Sequence, residues 1–374
     1  MTRDTKFKET ELGAIPAEWE VLPFCEAVNF NPKRELKKGQ QTKFVAMADI
    51  HPFTKKISGF SIKNFSGGTK FKNGDTLMAR ITPCLENGKT AFVDFLERDE
   101  VAGGSTEFIV LSGKDNVSDS DFVYYLTISQ EIRQAAMKAM TGTSGRQRVE
   151  TDKLASYLIQ LPPLNEQHQI AEILSSLDDK IELNRKINAN LEKMASALFK
   201  KWFVDVGDEL LAGWKMGKLG EVINIVYGKG LPTDQLLESG YPVFGGNGVI
   251  GFYDKYLYNE PQIIIGCRGA GSGNIKQTYP KSFVTNNSLV LEIPSGSALN
   301  RFYLKHFLLT RDISEFVTGS AQPQITIENL RHLTILVPPG DLLNKFSDFI
   351  TDLDSQSFNN ELEIKSLGQI RDSL

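Results

Sequence analysis

The chain has 374 residues, enough for two domains that each bury a core, and it is 41% hydrophobic and 24% charged. Its apolar runs fall short of the roughly 18 residues that a membrane span needs, its opening MTRDTKFKETELG lacks the apolar core of a signal peptide, and its three cysteines are far apart. These properties argue against a membrane protein or a disulfide framework and predict a cytoplasmic protein without a structural metal.

The net charge of −4 is a weak argument against a nucleic-acid partner. Residues 340–374 hold seven acidic and three basic residues, an excess that equals the net charge of the whole chain. The rest of the chain is therefore neutral on balance. A local basic face that binds phosphates stays compatible with this composition.

Residues 1–163 predict a first domain in which short strands and helices alternate. DTLMARITPCLENGKTAFV begins with an apolar strand pattern and continues into a loop that contains glycine, and STEFIVL is a second strand pattern. DFVYYLTISQEIRQAAMKAM has the apolar spacing of one helix. The domain is therefore predicted to be α/β.

A long helix is predicted next, over 165–200, with Asn165 as its cap and Glu166 in its first turn. At ~1.5 Å per residue it spans roughly 54 Å, which is too long for the core of one small domain. Apolar residues recur at alternating spacings of four and three, as in helices that pack as a coiled coil. Asp178 and Asp179 on this helix are expected to be solvated.

The chain repeats itself at a shift of 176 residues, where Leu154 meets Leu330 and the prolines at 162–163 meet those at 338–339. The helix seam repeats too, with Asn184 at the place of Asn360, although Ser357 and Arg371 weaken the second seam. The predicted seam residues are Ile170, Leu174, Leu177, Ile181, Asn184 and Leu191 in the first helix and Phe346, Ile350, Leu353, Asn360 and Leu367 in the second. The alternative is a pair of unrelated amphipathic helices.

The repeat extends into the domains, since QIIIGCRGAGSGNIKQTYP and NNSLVLEI follow the strand patterns of the first half, and NRFYLKHFLLTRDISEFV follows its helix pattern. The predicted organisation is a first domain over 1–163, a long helix within 164–207, a second domain over 208–339 and a last helix over 340–374. The fold class is α/β with an internal repeat.

Motifs that imitate catalytic sites fail their context. PCLENGKT ends like a phosphate-binding loop, but Pro83 stands where such a loop needs glycine. GCRGAGSGN misses the glycine spacing of a dinucleotide site and is followed by no helix pattern. Its glycines are better explained by a tight turn that brings Arg268 close to a ligand. The spacing of acidic, histidine and cysteine residues indicates no catalytic or metal site, so the chain is interpreted as a binding protein.

LPPLNEQHQIAEILSSLDDKIELNRKINANLEKMASALFKKWF resembles the central conserved region of specificity (S) subunits of type I restriction-modification systems. PCLENGKTAFV, GGSTEFIVL and GTSGRQRV resemble parts of one target-recognition domain of that family. YPVFGGNGVIGFYDKY, IIIGCRGAGSGN and SAQPQITIENLRHLTILVPP resemble the other, and LGAIPAEWEVLPF resembles the start of the first domain. The resemblance covers nearly the whole chain.

The resemblance implies two target-recognition domains separated by two long antiparallel helices with pseudo-twofold symmetry. It implies that each domain reads one half of a bipartite double-stranded DNA target while the helices set the unspecified gap. The implied partners are two methyltransferase (M) subunits, which form an adenine-N6 methyltransferase, and endonuclease (R) subunits. AdoMet, ATP and Mg²⁺ would belong to those partners, and the chain itself would be non-catalytic.

Base edges are best read by Arg, Lys, Asn and Gln, and phosphates attract Lys and Arg. The candidate DNA-binding residues on equivalent loops are Arg80, Lys89, Arg146, Gln147 and Arg148 in the first domain and Asn247, Arg268, Lys276, Gln322 and Gln324 in the second. The turn at 245–247 is a place for close approach of backbone to DNA. The basic run at 33–38 is either a phosphate contact or a solvated loop. Gln324 is either a reader or a brace for the domain–helix junction, and residues shared by both domains are either readers or framework.

Two other functions stay open on sequence alone. One is an enzyme whose loop at 266–273 binds a nucleotide or a sugar phosphate, which the missing acid/base groups disfavour. The other is a DNA-binding adaptor of another defence complex without a methyltransferase partner. A methyltransferase gene beside this one would distinguish them.

Overall fold

The computed structural model describes residues 6–143, 145–207, 213–297, 299–319 and 322–374. The predicted start of the second domain, Asp208, lies outside them. Backbone contacts divide the chain into a first unit, Met1–Leu183 with Glu363–Leu374, and a second unit, Asn184–Leu362. Each unit therefore contains part of both long helices.

The first unit combines short strands with four short helices and the start of a long one. Its strands are β1 (Phe7–Thr10), β2 (Gly13–Pro16), β3 (Glu20–Pro23), β4 (Val28–Phe30), β5 (Gln41–Val45), β6 (Ser61–Asn64), β7 (Thr69–Phe71), β8 (Asp75–Ala79), β9 (Thr90–Phe92), β10 (Ala102–Gly104), β11 (Phe108–Gly113), β12 (Met140–Thr141), β13 (Arg148–Val149) and β14 (Leu158–Leu161). Its helices are α1 (Phe24–Ala27), α2 (Ser120–Ile128), α3 (Gln130–Lys138), α4 (Thr151–Ala155) and the beginning of α5 (Leu164–Phe199).

The central sheet of the first unit, in the order β4-β11-β8-β9, is covered on both faces. On β8, Met78 packs into a cluster with α2 and α3, while Leu77 packs into a second cluster with Val45 and Phe71. Successive side chains of a strand point to opposite faces, so a sheet buried on both sides needs a continuous apolar run. This is why polar and apolar residues do not alternate along the β8 sequence DTLMA.

The helix predicted over DFVYYLTISQEIRQAAMKAM is two helices, which corrects the sequence interpretation. α2 ends at Ile128, and Ser129 adopts a non-helical backbone with φ −55° and ψ 151°. The Ser129 hydroxyl accepts a hydrogen bond from the backbone N–H of Ile132 at 3.3 Å. A serine that caps a new helix start interrupts an otherwise continuous apolar pattern.

The second unit repeats this arrangement with different side chains. Its strands are β15 (Lys215–Lys218), β16 (Asn224–Tyr227), β17 (Tyr241–Gly245), β18 (Gly248–Tyr253), β19 (Ile263–Gly266), β20 (Ile275–Gln277), β21 (Phe283–Val284), β22 (Ser288–Glu292) and β23 (Thr334–Val337). Its short helices are α6 (Leu219–Val222), α7 (Arg301–Leu309) and α8 (Ile327–Leu330), and the last long helix is α9 (Gly340–Ser373).

The strand order confirms the α/β class and the internal repeat. The second unit's central sheet runs β16-β22-β19-β20, which matches β4-β11-β8-β9 element by element. Its smaller sheet, β18-β17-β21, corresponds to β6-β5-β10, and β15 pairs with β23 as β3 pairs with β14. The predicted second helix again stops early, since α7 ends at Leu309 and a separate 3-10 turn follows over Ile313–Phe316.

The long helices α5 and α9 run antiparallel. In the second unit the rings of Phe199 and Phe346 lie 5.9 Å apart, and Asn188 donates to the carbonyl of Ser357 at 3.1 Å. Asn360 donates to Asn188 Oδ1 at 2.7 Å. The small polar side chain of Ser357 had predicted a weaker seam, but its backbone carbonyl accepts a hydrogen bond there.

In the first unit, Asp178 and Arg371 form a buried ion pair of 2.6 Å between α5 and α9, with each side chain 7% exposed. The expectation that Asp178 is solvated is therefore wrong. Arg371 extends from α9 to meet it, because an isolated buried carboxylate would be costly. Arg371 is thus a specific partner of the first helix at a seam position.

Most predicted seam residues are shielded from solvent. Those buried are Leu174, Ile181, Asn184, Leu191, Phe346 and Ile350, and those half-buried are Ile170, Leu177, Leu353, Asn360 and Leu367. None of the described helices is both long enough and apolar enough to cross a membrane.

Candidate nucleic-acid interface

In the second unit, three segments meet where β19 ends. They are the turn 245–248, the loop 267–274 and the residues 322–324, together called the second loop cluster. Asn274 donates to Asn247 Oδ1 at 2.7 Å, and the N–H of Gly269 donates to the carbonyl of Pro323 at 3.0 Å. Ser272 donates to the same carbonyl at 2.7 Å. The three segments therefore form one connected surface.

Glycines allow these segments to approach each other. A Cβ atom at Gly266 would lie 2.1 Å from the carbonyl oxygen of Gly271 and 2.6 Å from that of Gly246. Only a residue without a side chain fits between those oxygens. The glycines of GCRGAGSGN at these positions thus have a structural role in packing the cluster.

The polar side chains of the second loop cluster face outward. Arg268 pairs with Gln324 through an isolated antiparallel backbone bridge, which leaves both side chains exposed. Asn247 and Gln322 are exposed on the neighbouring segments, and Lys276 is exposed on β20 just beyond the loop. The structure therefore brings four of the five candidates of this half onto one surface, with Lys276 at its margin.

In the first unit, the corresponding first loop cluster joins the loop 80–89 to the segment 145–149. Thr82 and Gln147 exchange hydrogen bonds of 3.0 Å, and the N–H of Val149 donates to the carbonyl of Arg80 at 2.8 Å. Arg146 is exposed and Gln147 is half-buried. This arrangement holds four of the five candidates of this half beside each other.

Two arginines of the first loop cluster are engaged within it. Arg148 donates to both carboxylate oxygens of Glu107, at 2.7 and 2.9 Å, and this hydrogen bonding lowers the pKa of Glu107. Arg80 donates to the carbonyl of Val149 at 3.5 Å. Lys89, the fifth candidate, donates to the carbonyl of Met47 at 2.9 Å. Arg148 could contact a base only if it released Glu107.

The basic run at 33–38 divides into two kinds of residue. Arg34 forms a buried ion pair with Asp75 at 2.5 Å, with side chains 10% and 1% exposed. Lys33, Lys37 and Lys38 are exposed. Arg34 therefore supports the core of the first unit, and only the lysines are placed to meet a phosphate.

Sequence reasoning missed an apolar surface on the edge strands of the two smaller sheets. Ile62 on β6 is 55% exposed, and Val249 and Ile250 on β18 are 43% and 45% exposed. β6 and β18 occupy equivalent edge positions, and β18 begins at the second loop cluster. Exposed apolar side chains on equivalent edge strands form a candidate contact surface, and thymine methyl groups are one apolar feature of DNA grooves.

A family model described as the type I restriction modification DNA specificity domain matches the chain twice, over residues 18–193 and 212–367. The two matches together cover most of the chain, and each contains one of the two equivalent sheets and one loop cluster. The chain belongs to this family. It is a type I restriction-modification specificity subunit by descent, as its sequence resemblance predicts.

Two specificity subunits of other organisms and one solved S subunit are similar to this chain over most of their length. The MjaIX specificity subunit of Methanocaldococcus jannaschii is 25% identical over 99% of this chain and 95% of its own. The EcoprrI specificity subunit of Escherichia coli is 26% identical over 90% and 87%. The crystal structure of the type I S subunit from M. genitalium matches with a TM-score of 0.58 and 21% identity over 95% of this chain and 94% of its own. That structural likeness concerns the fold.

Proposed function

We propose that this specificity subunit binds double-stranded DNA at a bipartite target. The first head, residues 6–161, would read one half of the target, and the second head, residues 213–337, would read the other. The observation that carries the proposal is the twofold family match, which coincides with two equivalent sheets that each end in a polar loop cluster.

The side chains of the clusters suit base readout. Arginine pairs in a bidentate manner with guanine, and asparagine or glutamine pairs with adenine in the major groove. Arg268, Asn247 and Gln322 are exposed on the second loop cluster, and Arg146 is exposed on the first. Lys276 and the lysines at 33–38 would contact phosphates, which add affinity without sequence information.

The long helices would set the unspecified gap between the half-sites. α5 has 36 residues, so its length is about 54 Å, which corresponds to an upper bound of about 16 base pairs. An antiparallel pair with buried polar contacts is stiff and has a defined register. The gap is therefore expected to have a single length.

The proposed partners are two methyltransferase subunits, which would dock on the helical region and methylate adenine, and endonuclease subunits that cleave unmethylated DNA. Chemistry would belong to those partners. Among the described residues, no group of three His, Cys, Asp or Glu side chains is arranged to hold a metal ion.

Selection from random duplex DNA tests the proposal. We expect DNA retained by this chain, purified with its methyltransferase partner, to contain two short constant sequences at one fixed separation, because two heads on stiff helices read two sites. The control is the same preparation without this chain. One uninterrupted motif, or no enrichment over that control, would contradict the bipartite reading.

A further inference from the structure

Asp178 on α5 is shared by three elements of the first unit. Its Oδ2 accepts a hydrogen bond of 2.9 Å from the hydroxyl of Tyr125 on α2. Its Oδ1 accepts 2.6 Å from Arg371 on α9. One buried carboxylate therefore joins the first head to both long helices.

Lys55 makes a second polar connection at the same place. It is 8% exposed, and its Nζ lies 2.6 Å from Asp121 on α2 and 2.9 Å from Ser175 on α5. The same Nζ lies 3.3 Å from the hydroxyl of Tyr125 and 4.8 Å from the centre of its ring. Ser175 precedes Asp178 by three residues, so both helix partners face the head from adjacent turns.

The second unit has the same connection with different partners. Asp354 on α9 follows Asp178 at the repeat shift of 176 residues. It accepts hydrogen bonds of 3.1 Å from Gln277 on β20 and of 3.5 Å from Arg301 on α7. Its side chain is 17% exposed. A carboxylate at the equivalent helix position thus holds its own head in each half, although the head residues that meet it differ.

Apolar packing alone would leave the angle of a head less defined. Leu174 packs with Phe92, Tyr124 and Tyr125, and such contacts tolerate small shifts because they have no required direction. Hydrogen bonds and buried ion pairs require a direction and a distance, and breaking them leaves a buried charge unpaired. Polar contacts of this kind are known to fix register in paired helices.

We propose that Asp178 and Asp354 are positioning residues that fix the orientation of each head on its pair of long helices, and thereby the length of the gap between the half-sites. Tyr125 and Lys55 complete this function in the first unit, and Gln277 and Arg301 complete it in the second. The consequence for the gap rests on the proposed function, whereas the orientation of a head is independent of DNA.

Distances between spin labels test the orientation directly. Labels at Ile62 on β6 and Ile173 on α5, which are 55% and 57% exposed, report how the first head lies on the helix once the native cysteines are replaced. Tyr125→Phe removes one hydroxyl and keeps the ring. We expect this change, alone and with Lys55→Met, to widen the label distance distribution about twofold, because alternative orientations become populated.

Tyr157→Phe is the matched control, since the Tyr157 hydroxyl donates to Glu131 at 3.2 Å within the same head and away from Asp178. Its distance distribution should equal that of the unchanged chain. Unfolding midpoints establish that each variant is folded. If the double variant does not fold, the comparison rests on Tyr125→Phe alone, which is the milder change. Equal widths for Tyr125→Phe and Tyr157→Phe would overturn the positioning role.

The random-duplex selection tests the consequence for the gap. The Tyr125→Phe chain should still select both half-sites. Among the selected duplexes, the fraction whose gap is one base pair longer or shorter should increase about tenfold. A purely structural role would reduce binding without altering the gap. An unchanged gap alongside wider label distances would overturn the link to gap length, whereas absence of any two-part motif in the unchanged chain would contradict the proposed function itself.

Discussion

At the residue scale, the two loop clusters hold equivalent arginines in different environments. Arg80 follows β8 and donates back to the carbonyl of Val149, whereas Arg268, in the equivalent loop after β19, is exposed. Arg148 is paired with Glu107. Two heads that read different half-sites need different contacts, so an equivalent position need not have an equivalent role.

Arg268→Ala tests readout by the second head. We expect it to relax the sequence preference at one position of one half-site and to cost about 1–3 kcal/mol of binding, because a bidentate contact to guanine is lost. Lys276→Ala is the matched control, which should weaken binding to all sequences and reduce the salt dependence by about one charge. Titration of point-substituted duplexes at several salt concentrations separates the two. A uniform loss for Arg268→Ala would assign this residue to phosphate.

We expect His306 to make the stability of the second unit depend on pH. It is 2% exposed between Phe199 and Phe346, and burial lowers its pKa from 6.5 to about 4 although nearby Glu192 opposes this shift. Because the folded pKa lies below the unfolded one, the neutral ring stabilises the fold above pH 6.5, and this contribution is lost as the pH falls towards 4. We expect a loss of about 3 kcal/mol across that window.

Denaturant unfolding of the chain and of His306→Phe between pH 7 and pH 4 measures this contribution. The variant keeps a ring at the site and removes the titrating group, so its stability should vary less over the window. An identical pH dependence in both chains would show that other groups control acid unfolding.

Some contacts of single residues could not be predicted from the sequence. Asp178 has the same charge as its neighbour Asp179, which is exposed, and nothing in a helical pattern indicates that Arg371 extends to the first of the two. Its partner Tyr125 lies 53 positions before Asp178 along the sequence, and Lys55, which bonds Tyr125, lies 123 positions before it, so only the fold brings them together. Periodicity identifies which face of a helix is covered, but it does not identify buried ion pairs on that face.

At the element scale, two strands of each central sheet, the helix pattern after them and the long helix were predicted from the sequence, because the repeat supplied two versions of each. The apolar strands β8 and β19 and the helices α5 and α9 were predicted from periodicity and from the shift of 176 residues. The break at Ser129 was missed since a serine within an apolar helical pattern is compatible with both a continuous helix and a new cap. The edge strand β6 was not predicted, because its sequence SIKN has a single apolar residue and no alternating apolar pattern.

A change in helix length tests whether the helices set the gap. One heptad inserted in α5 after Leu183 and one in α9 after Leu362 should lengthen the gap by about three base pairs, since seven residues add about 10 Å. Seven residues preserve the seam because they equal its repeat. The methylated or selected motif should keep both half-sites.

The matched control inserts the heptad in α5 only, so that the Asp178–Arg371 pair and the Asn188–Asn360 pair, which lie on opposite sides of the insertion, cannot both stay in register. That variant should lose helix pairing and DNA selection together. A paired insertion that alters a half-site and keeps the old gap would contradict the role of the helices as a spacer.

At the scale of the whole molecule, the chain has two equivalent α/β parts, which are the proposed binding heads, a net charge of −4, and its acidic excess on the last helix. Under the proposed function, the basic residues that meet DNA are those of the loop clusters and of the run at 33–38. The organisation follows from duplication, since each half supplies one head and one long helix. Under the proposed function its target bases depend on loop side chains, whose exposure only the fold reveals.

Modified-base sequencing is the most direct test of the central claim. DNA from cells that express this chain with its proposed methyltransferase partner would be compared with DNA from cells that express that methyltransferase alone. We predict N6-methyladenine in a two-part motif with one gap length, and its loss when this chain is removed. If the two proteins form a stable complex but no methylation depends on this chain, the result would contradict the account and favour a DNA-binding adaptor of another defence complex.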